Sequence, residues 1–193
     1  YQSSRLAADV IRVMDTLGIH KAVVIGHDWG GIIAWHFAIN HPARVDKLVV
    51  ISAPHPSAYS RALVTSSQAL RSWYLLAFQV PRLPELLLQR SGMKALKRIW
   101  ARAGGRSGNV TSADVDKYVK AFSKHGRVRA AVNYYRAAFR SALHRTGSGT
   151  VTAPTLLIWG EKDKFLVPQL PEMTRRGVKR LGVRNLADCP HWP

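Results

Sequence analysis

Residues 22–31 read Ala-Val-Val-Ile-Gly-His-Asp-Trp-Gly-Gly, an apolar run that ends on glycine, an aspartate between two aromatic side chains, and two more glycines. An apolar stretch to Phe37 follows and stops before Pro42. A short continuous apolar run bounded by turn residues reads as a buried strand, and the longer stretch behind it has the length of a helix. A second buried strand is expected at 48–51, closed by Ser-Ala-Pro-His-Pro at 52–56. A helix between two strands makes them a parallel βαβ unit, so the chain is committed to an α/β sheet flanked by helices.

The remainder divides in two. Residues 3–17 carry Leu6, Ala7, Val10, Met14 and Leu17 at helical spacing, with Ser3 or Ser4 as N-cap and Gly18 just past the end. From 57 to 150 the strand signal disappears. Thr111 and Asp114 form a capping box opening a helix through Phe122, and another helix is expected over 128–143. Gly104, Gly105 and Gly108 mark a loop, and 146–150 reads as a linker. The buried-strand pattern resumes at 155–159 and, more weakly, at 183–186. The expected architecture is an α/β core of 1–55 and 151–193, interrupted by an all-helical insertion at 56–150. No internal repeat is present, which excludes a solenoid.

The formal charge of +18 comes from 29 Lys and Arg against 11 acids. It is concentrated in the insertion, where seventeen basic residues face only Glu85, Asp114 and Asp116. Such a segment reads either as a solvated arginine-rich surface or as a face for anions. The single cysteine, Cys189, excludes an intramolecular disulfide, and a reducing compartment is the default. No apolar run approaches the roughly 18 residues that span a bilayer, and residues 1–5 do not read as a signal peptide. A cytoplasmic protein with no membrane span and no nucleic-acid partner is expected. Cys189 and His191 give two metal ligands at most, so no metal and no cofactor are expected.

The chemistry centres on Asp28. A residue on a sharp strand-to-helix turn projects from the carboxyl end of its strand, and any Cβ at 26, 30 or 31 is expected to crowd the neighbouring strand or helix. The helix N-terminus favours the ionised carboxylate by about 0.3–1 kcal/mol. A phosphate-cradling loop is disfavoured, because a fixed negative charge at Asp28 repels phosphate and neither G-x-G-x-x-G nor a Walker lysine is present. The plain alternative is an aspartate that merely caps the helix.

With Gly26-His27-Asp28-Trp29-Gly30-Gly31, the basic helical insertion, Trp159-Gly160-Glu161-Lys162-Asp163 and the closing Asp188-Cys189-Pro190-His191-Trp192, the chain resembles the epoxide hydrolase branch of the α/β-hydrolase superfamily. Haloalkane dehalogenases share much of this pattern. The resemblance implies that Asp28 is the nucleophile, His191 the base and Asp163, rather than Glu161, the acid that orients it. It implies a partial hydrolase sheet with the insertion as a helical cap. Tyr74 in Arg-Ser-Trp-Tyr and Tyr135 in Asn-Tyr-Tyr-Arg would polarise the epoxide, with Tyr134 pointing elsewhere. Trp29 would donate its backbone N–H to the oxyanion, and His27 and His55 would line the pocket.

An aspartate in place of serine changes the reaction. Carboxylate attack on a carbonyl gives a high-energy anhydride, whereas attack on an sp³ carbon gives an ordinary alkyl ester that activated water can hydrolyse. The expected partner is a small-molecule epoxide, anionic or lipid-like in view of the cationic cap, which is hydrolysed to a vicinal diol. A haloalkane dehalogenase with the same nucleophile, or a hydrolase-like protein that binds a ligand without turnover, is the alternative. The family's strands before the elbow and its His-Gly-x-Pro oxyanion loop are not in the chain, so an internal fragment with an open sheet edge is expected.

Overall fold

The computed structural model describes residues 1–103, 110–143 and 149–192. Four parallel strands form one sheet in the order β1 (Ala22–His27), β2 (Val45–Ile51), β3 (Thr155–Gly160) and β4 (Leu181–Leu186). Each strand extends one to three residues beyond its apolar run, because ladder pairing continues past the side chains that fill the core. His27 pairs with Ile51, Ile51 with Ile158, and Gly160 with Leu186, so the carboxyl ends of all four strands align at one edge of the sheet. Open parallel sheets place their ligand crevices at this edge.

Helix α1 (Ser3–Thr16) is N-capped by Gln2 without a side-chain bond, so neither Ser3 nor Ser4 is the cap. Its other end closes as expected. Gly18 turns left-handed at φ 67°, with Ile19 N–H bonded to the Met14 carbonyl and Gly18 N–H to that of Asp15. Helix α2 (Trp29–Asn40) follows the elbow and packs on β1 and α1. Trp35 and Phe37 of α2, Leu48 and Val50 of β2, and Leu157 and Trp159 of β3 are all at most 1% exposed and form the main core. The expected burial of β1 on both faces does not hold. Val23 and Ile25 are 52% and 67% exposed, because α2 packs on the face that carries Ala22 and Val24.

Between β2 and β3 the described chain contains α3 (Pro56–Thr65), the short α4 (Gln68–Arg71) and α5 (Trp73–Ala77), then α6 (Leu83–Ala103), α7 (Ser112–Phe122) and α8 (Arg127–Leu143), followed by a single parallel bridge from Val151 to Val178. The box at the start of α7 is reciprocal: Asp114 N–H donates to the Thr111 hydroxyl and Thr111 N–H to the Asp114 carboxylate. Met93, Leu96, Val128 and Val132 form a second buried cluster that joins α6 to α8, with Val119 and Phe122 of α7 packed against it. Burying side chains of this size contributes about 1.5–3 kcal/mol each, so the insertion carries a core of its own. The loop expected at Gly104, Gly105 and Gly108, and residues 146–148 of the expected linker, lie outside the described residues. The short helix α9 (Leu170–Thr174) lies between β3 and β4.

Candidate active site

Asp28 sits between β1 and α2 at φ 50°, a left-handed conformation that side chains other than glycine adopt rarely. The turn is held by Asp28 N–H donating to the Ile51 carbonyl and Ile32 N–H to that of Asp28. A Cβ on Gly26 would lie 2.4 Å from the Gly30 carbonyl oxygen, and one on Gly31 would lie 2.7 Å from the Ala53 Cβ. These glycines let strand and helix approach closely enough to thrust Asp28 outward. Gly30 does not share that role, since a Cβ there meets open space.

The loop after β3 carries the second carboxylate. Glu161 is exposed, whereas Asp163 is only 6% exposed, and its Oδ1 accepts the N–H groups of Phe165 at 2.7 Å and Leu166 at 3.1 Å. Its Oδ2 accepts from His191 Nδ1 at 2.7 Å. On the other side of the imidazole, Nε2 lies 3.3 Å from Asp28 Oδ1. Two carboxylates thus flank one histidine that is 4% exposed. His27, on the elbow, donates Nε2 to the His191 carbonyl at 2.9 Å and so backs the histidine loop.

The electrostatics follow from this arrangement. Burial pushes His191 down, but the hydrogen bonds and charges of Asp163 and Asp28 outweigh it and raise the imidazole to about 9. Burial pushes Asp28 up, yet the hydrogen bond and charge of His191, the Trp29 backbone N–H and His27 hold it below its ordinary value. In the resting site Asp28 is therefore a carboxylate beside an imidazolium.

Two phenols from the insertion complete the group. The ring of Tyr74 in α5 lies 5.8 Å from that of Tyr135 in α8 and 6.4 Å from Phe165 on the acid loop. Tyr135 stands edge-on to Trp29 at 4.9 Å. Burial raises the Tyr135 hydroxyl to about 12, with the Asp28 charge adding to the shift and the Trp29 side chain opposing it. Burial and the neighbouring Tyr135 raise Tyr74 strongly as well. Both therefore stay protonated at neutral pH.

The structure brings together Asp28, Trp29, Asp163, His191, Tyr74, Tyr135 and His27, and departs from expectation at two positions. His55 is not at the pocket. It is fully buried, its Nδ1 accepts the Ser57 N–H, its ring packs against Trp35, and a Cβ on Gly177 would strike it. Burial holds it down at about 4, as a neutral core histidine. Tyr134 does not point away: its ring lies 5.5 Å from Trp29 and 5.1 Å from Tyr1, so adjacent tyrosines of α8 bracket the same indole. Phe165, against both His191 and Tyr74, and Trp192, between His191 and Trp100 of α6, extend the ring-lined wall and were not expected from the sequence. Gln68 and Arg71 were also missed. Their spacing of three on one helix face was the available signal.

Known proteins are similar to this chain in sequence and fold. The family model for the α/β hydrolase fold matches residues 1–193. Epoxide hydrolase 4 of Mus musculus is 38% identical over all of this chain, which spans 55% of that protein. The AB hydrolase superfamily protein YfhM of Bacillus subtilis is 33% identical, with the chain spanning 67% of it. The crystal structure of the Bacillus megaterium epoxide hydrolase in complex with an inhibitor superposes with a TM-score of 0.88 at 28% identity, covering all of this chain and 70% of that one. The chain thus spans about half the length of the first of these relatives.

Proposed function

The chain belongs to the α/β-hydrolase fold family, and from that membership we propose that it serves the hydrolysis of an epoxide to a vicinal diol through an alkyl ester on Asp28. The observation that carries the reading is the identity and setting of the elbow residue. A carboxylate, not a hydroxyl, stands 3.3 Å from His191 Nε2 and beneath two phenols kept protonated by burial.

One carboxylate oxygen of Asp28 attacks an epoxide carbon, and the bond from that carbon to the ring oxygen breaks. Tyr74 and Tyr135 donate to the departing alkoxide, and one of them passes it a proton that the His191 imidazolium then restores to the phenol. The new ester is uncharged, so His191 loses one of the two negative charges that strengthen it and gives up its proton more readily. It then takes a proton from water, whose oxygen attacks the Asp28 carbonyl carbon while Asp163 holds the imidazolium. The Trp29 backbone N–H, which helps to hold the Asp28 carboxylate below its ordinary value, would receive the oxyanion. Collapse releases the diol and restores Asp28, with no cofactor in the cycle.

We read 56–150 as the cap over the site. Arg71 is bonded to backbone carbonyls and Arg136 to Glu85, so the half-buried arginines of the insertion are engaged. Rings of Trp29, Phe78, Phe165 and Trp192 line the group, which favours an epoxide with apolar, lipid-like substituents. The Trp29 side chain, which a halide site would need, is occupied by Tyr135. Among the described residues no helix is long and apolar enough to cross a membrane.

Oxygen tracing tests the reaction. In a single turnover with excess protein in heavy-oxygen water, the first diol should carry no label and the Asp28 peptide should gain it. Label in the first diol would mean that water opened the epoxide directly.

A further inference from the structure

The acid loop is fastened to the insertion as well as to the sheet. Gln68 in α4 is fully buried, its Nε2 donates to the Phe165 carbonyl at 2.8 Å, and its Oε1 accepts the Val167 N–H at 2.9 Å. Arg71, one turn later, donates Nη1 to the carbonyls of Asp163 at 3.0 Å and Leu166 at 2.7 Å. Two side chains thereby fix four backbone groups within residues 163–167. The same stretch supplies the Phe165 and Leu166 N–H groups that grip Asp163 Oδ1, while Oδ2 is left facing His191.

Packing does not account for this choice of residues. A methionine would fill the Gln68 site without satisfying any loop backbone group, and a buried polar side chain is tolerated only when its bonds are made. Ser72 adds a further tie, accepting from Gln68 Nε2 at 2.8 Å while its hydroxyl meets that of Tyr59. Tyr74 stands three residues beyond Arg71, so one short segment both presents a phenol to the site and holds the backbone around the acid.

We infer that Gln68 and Arg71 are positioning residues for Asp163, aligning its Oδ2 with His191 Nδ1 only when the α4–α5 segment is docked on the acid loop. Base strength is thereby tied to the docking of the insertion. The inference rests on the proposed role of His191 as base, and it assigns Gln68 and Arg71 no contact with substrate. The charged and titratable groups around His191 are Asp163 from the acid loop and Asp28 and His27 from the elbow, with Arg71 acting through the Asp163 backbone.

The test uses the protein expressed from its own gene, in wild-type form and as Arg71→Met and Arg71→Lys, with the His191 titration followed by imidazole NMR alongside single-turnover kinetics on styrene oxide. The wild-type imidazole should titrate near 9. Arg71→Met should lower that value by about one unit, as the aligned carboxylate is lost. Misalignment of the acid should slow ester hydrolysis about 10- to 100-fold, with a smaller loss in ester formation. Arg71→Lys, which keeps one donor, should fall between the two in both readouts, and it carries the test if the methionine variant does not fold. A folded Arg71→Met with wild-type titration and wild-type ester hydrolysis overturns the inference, as does Arg71→Lys that matches wild type in both where only it folds. A wild-type protein that forms no ester overturns the proposed reaction instead, and the titration alone then decides whether Arg71 positions Asp163.

Discussion

Replacing both Tyr74 and Tyr135 by phenylalanine should lower the single-turnover rate of ester formation by about 10⁴-fold, and either single change by about 100-fold, the usual worth of one donor to a developing oxyanion. The argument rests on what the epoxide needs at neutral pH. Its leaving group is an alkoxide tethered to the substrate, and without a donor the ring opens against a strongly basic oxygen. Both phenols are half-buried and shifted upward, Tyr135 to about 12, so they donate without first ionising. Their rings are 5.8 Å apart, which suits two donors converging on one oxygen. Phenylalanine retains the ring packing against Phe78 and Phe165, so the loss should appear in ester formation while thermal stability changes little. Stopped-flow tryptophan fluorescence on an epoxide measures that step, with Trp29 packed against Tyr135 as a reporter. A double variant within tenfold of wild type would remove the tyrosines from the mechanism.

Asp28→Asn should abolish covalent chemistry, with kcat/KM lower by about 10⁴-fold or more, because a carboxamide is a poor nucleophile. Asparagine is isosteric with aspartate and replaces it at φ 50° without a change of bulk, so the elbow should persist. The same variant reports on the second half of the reaction, since the neutral side chain imitates the charge of the ester. Asp28 is one of the two groups that raise His191 to about 9. Removing its negative charge destabilises the imidazolium, so the His191 pKa should fall, by about one unit or more. The sign matters. A lower value means a larger neutral fraction at pH 7 to 8, when the base must accept a proton from water. Ester hydrolysis should accordingly rise as pH climbs through this lowered pKa and level off above it. An unchanged His191 titration in Asp28→Asn would show that the pair is not electrostatically coupled.

The parts legible in the sequence were those whose cause is local. Gly26 and Gly31 are required because a Cβ would meet backbone or side chain within 2.7 Å, and that clash belongs to the strand-turn-helix itself. The helical insertion was legible for a similar reason, since 57–143 lacks strand patterning and the capping box at Thr111 is made within four residues. Asp163 was separated from Glu161 by family resemblance, and the structure sets the two apart by burial and by the bond to His191. What escaped depends on neighbours that only the tertiary fold supplies. His55 stands in a Pro-His-Pro turn that looked like pocket lining, yet α9 and Gly177 close over it. Tyr134 was expected to diverge from Tyr135, but Trp29 is wide enough to be met by both. The exposed face of β1 was hidden because an apolar run carries no mark of which face is covered. Gln68 and Arg71 share a helix face, but that spacing carries no sign of their partners, which are backbone groups nearly a hundred residues away.

The most direct test of an alkyl ester on Asp28 is the intact mass of His191→Gln after exposure to an epoxide and, separately, to a haloalkane. Removing the base should leave ester formation in place and block its hydrolysis, so the protein should gain the whole mass of the epoxide. Peptide mapping should place the added mass on Asp28. An alkyl adduct formed only from the haloalkane would instead make the protein a dehalogenase, and a folded variant that gains no mass from either compound would contradict the covalent account.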